Sequence, residues 1–257
     1  PLHIGAKNKA TAEVMAILIE KFPAAAKERS AVIFNNPPPY NDESSGGDLP
    51  IHIALNSEAH IDVLQMLLVA FPEGAKEKTH VLKDRNGEIH GQNKISGGLL
   101  PIHIAVKFPR LQQFVLKILE IFPVAIKEKT AVSGELPLHL ALQHCASSEQ
   151  VMSLLKAFPE AASEKSTGKG ELPLHVALER GAELNVLNSL LSVYPASIRE
   201  FTDAGALPLH VALGSTRISH NYHSNDEDDE IPIASPDLIK KLLSLYHPAK
   251  DVIYKEH

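Results

Sequence analysis

Apolar positions along this chain fall into two alternating patterns. The longer one is clearest at Val63, Leu64, Met66, Leu67, Leu68 and Phe71, and again at Val115, Leu116, Ile118, Leu119 and Phe122. Apolar residues at i, i+1, i+3, i+4, i+5 and i+8 exceed one narrow stripe, which predicts a helix covered by neighbours on two sides. The shorter pattern is Pro-(Leu/Ile)-His-(aliphatic)-(Ala/Gly), beginning at Pro1, Pro50, Pro101, Pro137, Pro173 and Pro208. Proline suits a first helical position because its φ is already helical and its missing N–H would be unpaired anyway. Each copy therefore predicts a first helix of about two to three turns. An aromatic-proline pair ends the longer helix at Phe22-Pro23, Phe71-Pro72, Phe122-Pro123, Phe158-Pro159 and Tyr194-Pro195, since proline cannot continue a helix and disfavours helical geometry in the residue before it.

Each aromatic-proline proline lies 22 residues after a marker proline, so the two patterns share one phase. Repetition of this kind predicts an array of helix pairs rather than a conventional globule. After each second helix comes Ala-Lys-Glu-Lys or a relative of it, then a glycine two residues before the next Leu-Pro: Gly47, Gly98, Gly134, Gly170 or Gly205. Its recurrence predicts a turn with positive φ. Marker prolines are spaced 49, 51, 36, 36 and 35 residues apart. The first two intervals thus carry insertions, at residues 30–47 and 79–97, which predict long fingers on one side of the array. A third insertion, 214–236, separates the two helices of the last unit, and its run Asn225-Asp226-Glu227-Asp228-Asp229-Glu230 has the composition of a disordered segment.

Composition narrows the classes. Among 257 residues, 44% are hydrophobic and 22% charged, which supports a buried core. The net charge of −6 offers no basic footprint for nucleic acid. Cys145 stands alone, so no intrachain disulfide forms, and a cytoplasmic or other reducing compartment is expected. No apolar run approaches the ~20 residues that span a bilayer, so direct membrane insertion is not expected. The chain begins at a proline inside the repeat core without methionine, which reads as a fragment of a longer protein and leaves organelle targeting open.

Gly-x-Leu-Pro-Leu-His-x-Ala-Leu followed by an aliphatic second helix resembles the ankyrin repeat, Gly-x-Thr-Pro-Leu-His-x-Ala-Ala, in six copies covering essentially the whole chain. The resemblance implies an all-α fold, an α-solenoid of about six stacked ankyrin-like helix-turn-helix repeats with long inter-repeat fingers. It forms a single domain with units about 10 Å apart and a concave face that binds other proteins. Three features depart from the family. Leucine replaces threonine before the proline, removing an N-cap hydroxyl. Aromatic-proline replaces the usual Gly-Ala, and the period is 35–36 residues rather than about 33. The segment Pro-x-x-Ala-Lys-Glu-Lys therefore predicts an extra helical turn in place of the family's hairpin.

Six in-phase histidines, His3, His52, His103, His139, His175 and His210, stand too far apart at ~10 Å stacking to share one metal, whose ligands lie near 2 Å. The resemblance implies a structural role instead, each ring hydrogen-bonding backbone at the turn of its own or the adjacent repeat. His220-x-x-His223 beside the acidic run is the only metal-like cluster, and without a second ligand set no metal is expected. His144 and Cys145 point about 100° apart on a helix and make a poor base-nucleophile pair, so Cys145 is expected to be a buried or half-buried free thiol. No nucleotide, esterase or protease motif is present, so no catalytic residue, no cofactor and no enzyme activity is expected. Glu28, Glu77, Glu128, Glu164 and Glu200, interleaved with Lys27, Lys76, Lys78, Lys127, Lys129 and Arg199, predict a solubilising charged edge.

Carrying over the family's geometry, the partner-binding positions are those after helix one, Lys7, Asn8, Asn56, Ser57, Lys107, Phe108, Gln143, His144, Glu179 and Arg180. They are joined by Asp48, Leu99, Glu135, Glu171 and Ala206 between each glycine and its Leu-Pro. Phe108 beside Lys107 and Arg110 reads equally as a binding anchor or as the apolar cap of its own helix. The function expected is a non-enzymatic scaffold holding another protein through the concave face and the fingers. Two other readings stand beside it: a regulatory or targeting segment of a larger enzyme or channel, and a structural subunit of a large assembly.

Overall fold

The computed structural model describes residues 1–30, 47–80, 98–214 and 236–246. Nearly all of both finger insertions and the acidic insertion, with His220 and His223, lies outside the described residues. No strand occurs among those described.

The chain divides into two compact units, Pro1–Ala146 and Ser147–His257. The first contains α1 (Leu2–Lys7), α2 (Ala12–Lys21), α3 (Pro50–Asn56), α4 (Ile61–Ala70), α5 (Pro101–Ala105), α6 (Gln112–Ile121) and α7 (Pro137–Gln143). Here α3 packs between α1 and α5, and α4 packs against α2 and α6, so successive helix pairs stack side by side. In the second unit are α8 (Ser148–Ala157), α9 (Pro173–Glu179), α10 (Leu184–Val193), α11 (Pro208–Ala212) and α12 (Pro236–Tyr246). There α10 packs on α8, α11 on α9, and α12 on α11. The cores are apolar: Leu64, Ile102, Phe114 and Ile118 are wholly buried in the first unit, and Leu187, Leu190 and Leu242 are buried in the second.

The first helices are shorter than expected, 5 to 7 residues. The residue eight places after the marker proline ends them by adopting the left-handed conformation: φ is 53° at Lys9, 55° at Glu58, 52° at Cys145 and 63° at Gly181. The following N–H reaches back to the helix, as in Ala59 N–H to Ala54 O (2.9 Å) and Ala146 N–H to Ala141 O (2.9 Å), closing the helix as a Schellman-type cap. The third repeat has Pro109 at that place. Proline cannot take positive φ, so the chain instead runs through a 3-10 turn, Pro109–Leu111, straight into α6.

Every aromatic before a proline caps its second helix with extended φ, from −132° to −145°. A single 3-10 turn follows, at Pro23–Ala26, Pro72–Lys76, Pro123–Lys127, Pro159–Ser163 and Pro195–Arg199. The extra turn expected from Pro-x-x-Ala-Lys-Glu-Lys is therefore present. The recurrent glycine has positive φ at every copy, 79°, 70°, 60°, 63° and 75° at Gly47, Gly98, Gly134, Gly170 and Gly205. Two of these sites differ in what surrounds them. A Cβ at Gly170 would collide with the Asp203 carboxylate and lie 2.9 Å from the Asp203 nitrogen, whereas at Gly205 nothing lies within 4 Å. Gly170→Ala should therefore cost about 3 kcal/mol and Gly205→Ala only about 1, the left-handed penalty alone. Urea unfolding of both variants measures the difference, and equal losses would show that crowding by Asp203 is unimportant.

Candidate interaction surface

The connection between repeats is built the same way each time, around a residue that sequence reasoning missed. Seven places after the aromatic-proline proline stands a serine or threonine: Ser30, Thr79, Thr130, Ser166 and Thr202. Its hydroxyl accepts the N–H of the residue after the glycine, as in Leu99 N–H to Thr79 Oγ1 (2.8 Å) and Glu135 N–H to Thr130 Oγ1 (3.0 Å). Its N–H donates to that residue's carbonyl, and its own carbonyl accepts the glycine N–H, for example Thr130 N–H to Glu135 O (2.9 Å) and Gly134 N–H to Thr130 O (3.2 Å). The same three bonds close Ser30–Asp48 and Thr79–Leu99 at the base of the long insertions.

The histidines hold the next joint. Leu100 N–H donates to His103 Nδ1 (3.0 Å), and His103 Nε2 lies 2.8 Å from Glu128 O. His52 bridges Leu49 N–H (3.3 Å) and Glu77 O (2.9 Å), and His175 bridges Leu172 N–H (3.1 Å) and Glu200 O (3.1 Å), in the same manner. A ring that accepts at Nδ1 and faces a carbonyl at Nε2 must carry its proton on Nε2 and stay neutral. Burial accordingly holds His52, His103 and His175 down at about 4. The ring supplies at the third helical position the acceptor that the leucine N-cap lacks, a capping role played from inside the helix. His139 takes the Leu136 N–H (3.2 Å). His3 Nε2 meets Glu28 O (2.9 Å), and exposed His210 takes the Leu207 N–H (3.1 Å).

The recurrent glutamates have a second use. Within the first unit Arg29 pairs with Glu77 (2.5 Å) and Lys78 with Glu128 (3.1 Å), and within the second Lys165 pairs with Glu200 (2.9 Å). Each base stands one place after its own repeat's glutamate and reaches the glutamate of the next repeat. These half-exposed pairs contribute little individually, about 0–1 kcal/mol, but they neutralise the edge in register.

The carried-over partner positions occupy the ends of the first helices and the connections before them. Lys7, Asn8, Asn56, His144 and Arg180 are exposed, and Ser57, Lys107, Phe108, Gln143 and Glu179 are half-buried. Of the positions beside the glycines, Leu99 (3% exposed) and Ala206 are buried and offer no side-chain surface. Asp48, Glu135 and Glu171 are half-buried and already engaged. Asp48 accepts the His80 N–H (3.1 Å), with its pKa raised by burial; Glu135 accepts the Ser133 hydroxyl (2.5 Å); Glu171 faces Lys169 (3.8 Å). In the first unit the structure brings several of these groups together. Burial lowers the pKa of Lys107, against the pull of the Glu135 carboxylate. The Arg110 guanidinium lies over the Phe108 ring at 5.5 Å and pairs with Glu58 at 3.0 Å. Phe108 is thus half-covered by a cation that spans two repeats.

Cys145 is exposed, against the expectation of a buried or half-buried thiol, because its left-handed capping role turns it out of the helix pair. Among the described residues no group of three His, Cys, Asp or Glu side chains is placed to hold a metal ion, and no helix is long and apolar enough to cross a membrane.

No family model matches this chain, and no curated protein matches it. Among solved structures it is similar to the ankyrin repeat domain of Bcl-3, described as a unique member of the IkappaB protein family. The two chains share 20% identity with a TM-score of 0.52, over 84% of this chain and 80% of that one. The fold is therefore the ankyrin-type helix-turn-helix array, all-α, with 3-10 turns where the aromatic-proline pairs stand.

Proposed function

We propose that this chain is a non-enzymatic scaffold that binds another protein through the ends of its first helices and the adjoining connections. One observation carries the reading: an almost constant frame of histidine bridges and hydroxyl clasps presents unlike side chains at equivalent places. Those places hold Lys7-Asn8, Asn56-Ser57, Lys107-Phe108 and Gln143-His144 in the first unit and Glu179-Arg180 in the second. A frame that fixes the backbone and varies the side chains at the tips suits recognition, since rigid presentation lowers the ordering cost of binding. Phe108 and Arg110, an aromatic and a guanidinium held together, are the residue types that dominate interface energetics.

Affinity capture from a lysate, followed by titration of the captured protein, tests this. Phe108→Ala should weaken that complex about tenfold or more with the melting temperature held within a few degrees. Val69→Lys, on the exposed outer side of α4, should leave it intact. A complex indifferent to Phe108, or equally sensitive to Val69, overturns the assignment.

A further inference from the structure

The tips of the first helices are charged against the chain's overall sign. The whole chain carries −6, yet in the first unit the residues that end α1, α3 and α5 include Lys7, Lys9, Lys107 and Arg110, with Glu58 the carboxylate among them. That carboxylate is already engaged. Glu58 pairs with Arg110 at 3.0 Å, and the Arg110 guanidinium, held in the 3-10 turn that Pro109 begins, lies 5.5 Å from the Phe108 ring centroid. One face of the ring is thus under a cation.

Lys107 is the group left over. It is half-buried, and burial presses its pKa down, so its charge is held at a cost. The Glu135 carboxylate attracts it, but that group takes the Ser133 hydroxyl at 2.5 Å, and Lys107 makes no ion pair among the described residues. A partly desolvated ammonium beside an aromatic ring gains more from an incoming carboxylate than a solvated one does. Lys7 holds in the first repeat the place that Lys107 holds in the third. Because α1 packs on α3 and α3 on α5, the two stand about 20 Å apart at ~10 Å per repeat. About six residues of extended chain cover that distance. We propose that the protein partner lays an extended acidic segment along these tips, with one carboxylate on Lys107, an apolar side chain next to it against Phe108, and a second carboxylate about six residues away on Lys7. The inference rests on the scaffold reading above and gives its partner a chemistry. A nucleic acid fits less well, since Glu58 stands between the two lysines and would meet a chain of evenly spaced phosphates, whereas a peptide can set a neutral residue opposite it.

Selection of random peptides of about twelve residues on the immobilised full chain at low salt tests this. Enriched sequences should carry an acidic residue beside an apolar one, and a second acidic residue about six places away. Lys107→Met keeps the apolar stem and removes the charge, so it should weaken the enriched peptide about tenfold with the melting temperature held within a few degrees. Lys107→Glu should instead enrich lysine or arginine at the position next to the apolar residue, and Lys7→Glu should switch only the distant position. Enriched peptides that need Phe108 but carry no acidic residue, or an acidic preference that survives Lys107→Glu, overturn the proposal and leave the scaffold reading standing. Peptides indifferent to Phe108→Ala, or no enrichment, remove that reading and this proposal with it. Fluorescein-labelled oligothymidylate that binds more tightly than the enriched peptide and is released by Lys107→Met also overturns the proposal, since the occupant is then a nucleic acid.

Discussion

Acidification from pH 7 to pH 4.5 is expected to remove several kcal/mol of folding free energy. The loss arises from His52, His103 and His175, each wholly buried or nearly so and held at about 4. An unfolded chain protonates histidine near 6.5, so below that value it binds protons the folded state refuses. Stability is complete above pH 6.5 and falls as pH drops towards 4, at up to about 1.4 kcal/mol per pH unit for each ring. Together the three rings remove a large share of the about 5–15 kcal/mol that domains of ordinary stability hold. Asp48 works in the opposite direction, since its raised carboxyl takes up a proton more readily when folded. It offsets only part of the loss. Urea midpoints between pH 7.5 and 4.5 measure the effect, and midpoints flat from pH 6.5 to 5 would refute the neutral-ring bridges.

His103→Ala should cost about 3–4 kcal/mol, while His210→Ala, the same residue at the same place of the repeat motif, should cost under about 1. Removing His103 strands the buried Leu100 N–H and the Glu128 carbonyl and leaves a void the size of an imidazole. Each unmet buried group costs about 1–3 kcal/mol. His210 is exposed, and water can replace its bond to the Leu207 N–H. Chemical unfolding of the two variants at pH 7.5 reads the contrast directly. Similar losses would mean that the histidine acts through helix propensity rather than as a bridge.

Much of this architecture was legible because backbone constraint is written in residue type. Prolines at the marker positions start helices, Phe-Pro and Tyr-Pro stop them, and glycines at 47, 98, 134, 170 and 205 mark left-handed turns. What escaped notice was carried by residues whose role depends on a distant partner. Ser30, Thr79, Thr130, Ser166 and Thr202 alternate between two residue types inside polar connections, and only their common offset from the prolines could have exposed the clasp. Glu77 and Arg29 are 48 residues apart, so the edge reads as charged in sequence and as paired only once repeats stack. Cys145 was misjudged because lysine, glutamate, cysteine and glycine share its place, a mixture that hides a position defined by φ rather than by chemistry. For the tips of the first helices, geometry ranks accessibility: Leu99 drops out and Phe108 is left half-covered.

The hydroxyl clasp frees loop length from the constraints of stacking. Residues 131–133 and the far longer 31–46 and 80–97 all depart from and return to the same three bonds. Lengthening such an excursion several-fold adds only about 1 kcal/mol of closure entropy. Each stem is a ready socket for splicing: a foreign peptide inserted after Thr130 or Ser166 would be displayed from a fixed base, and the helices behind it would not register its length.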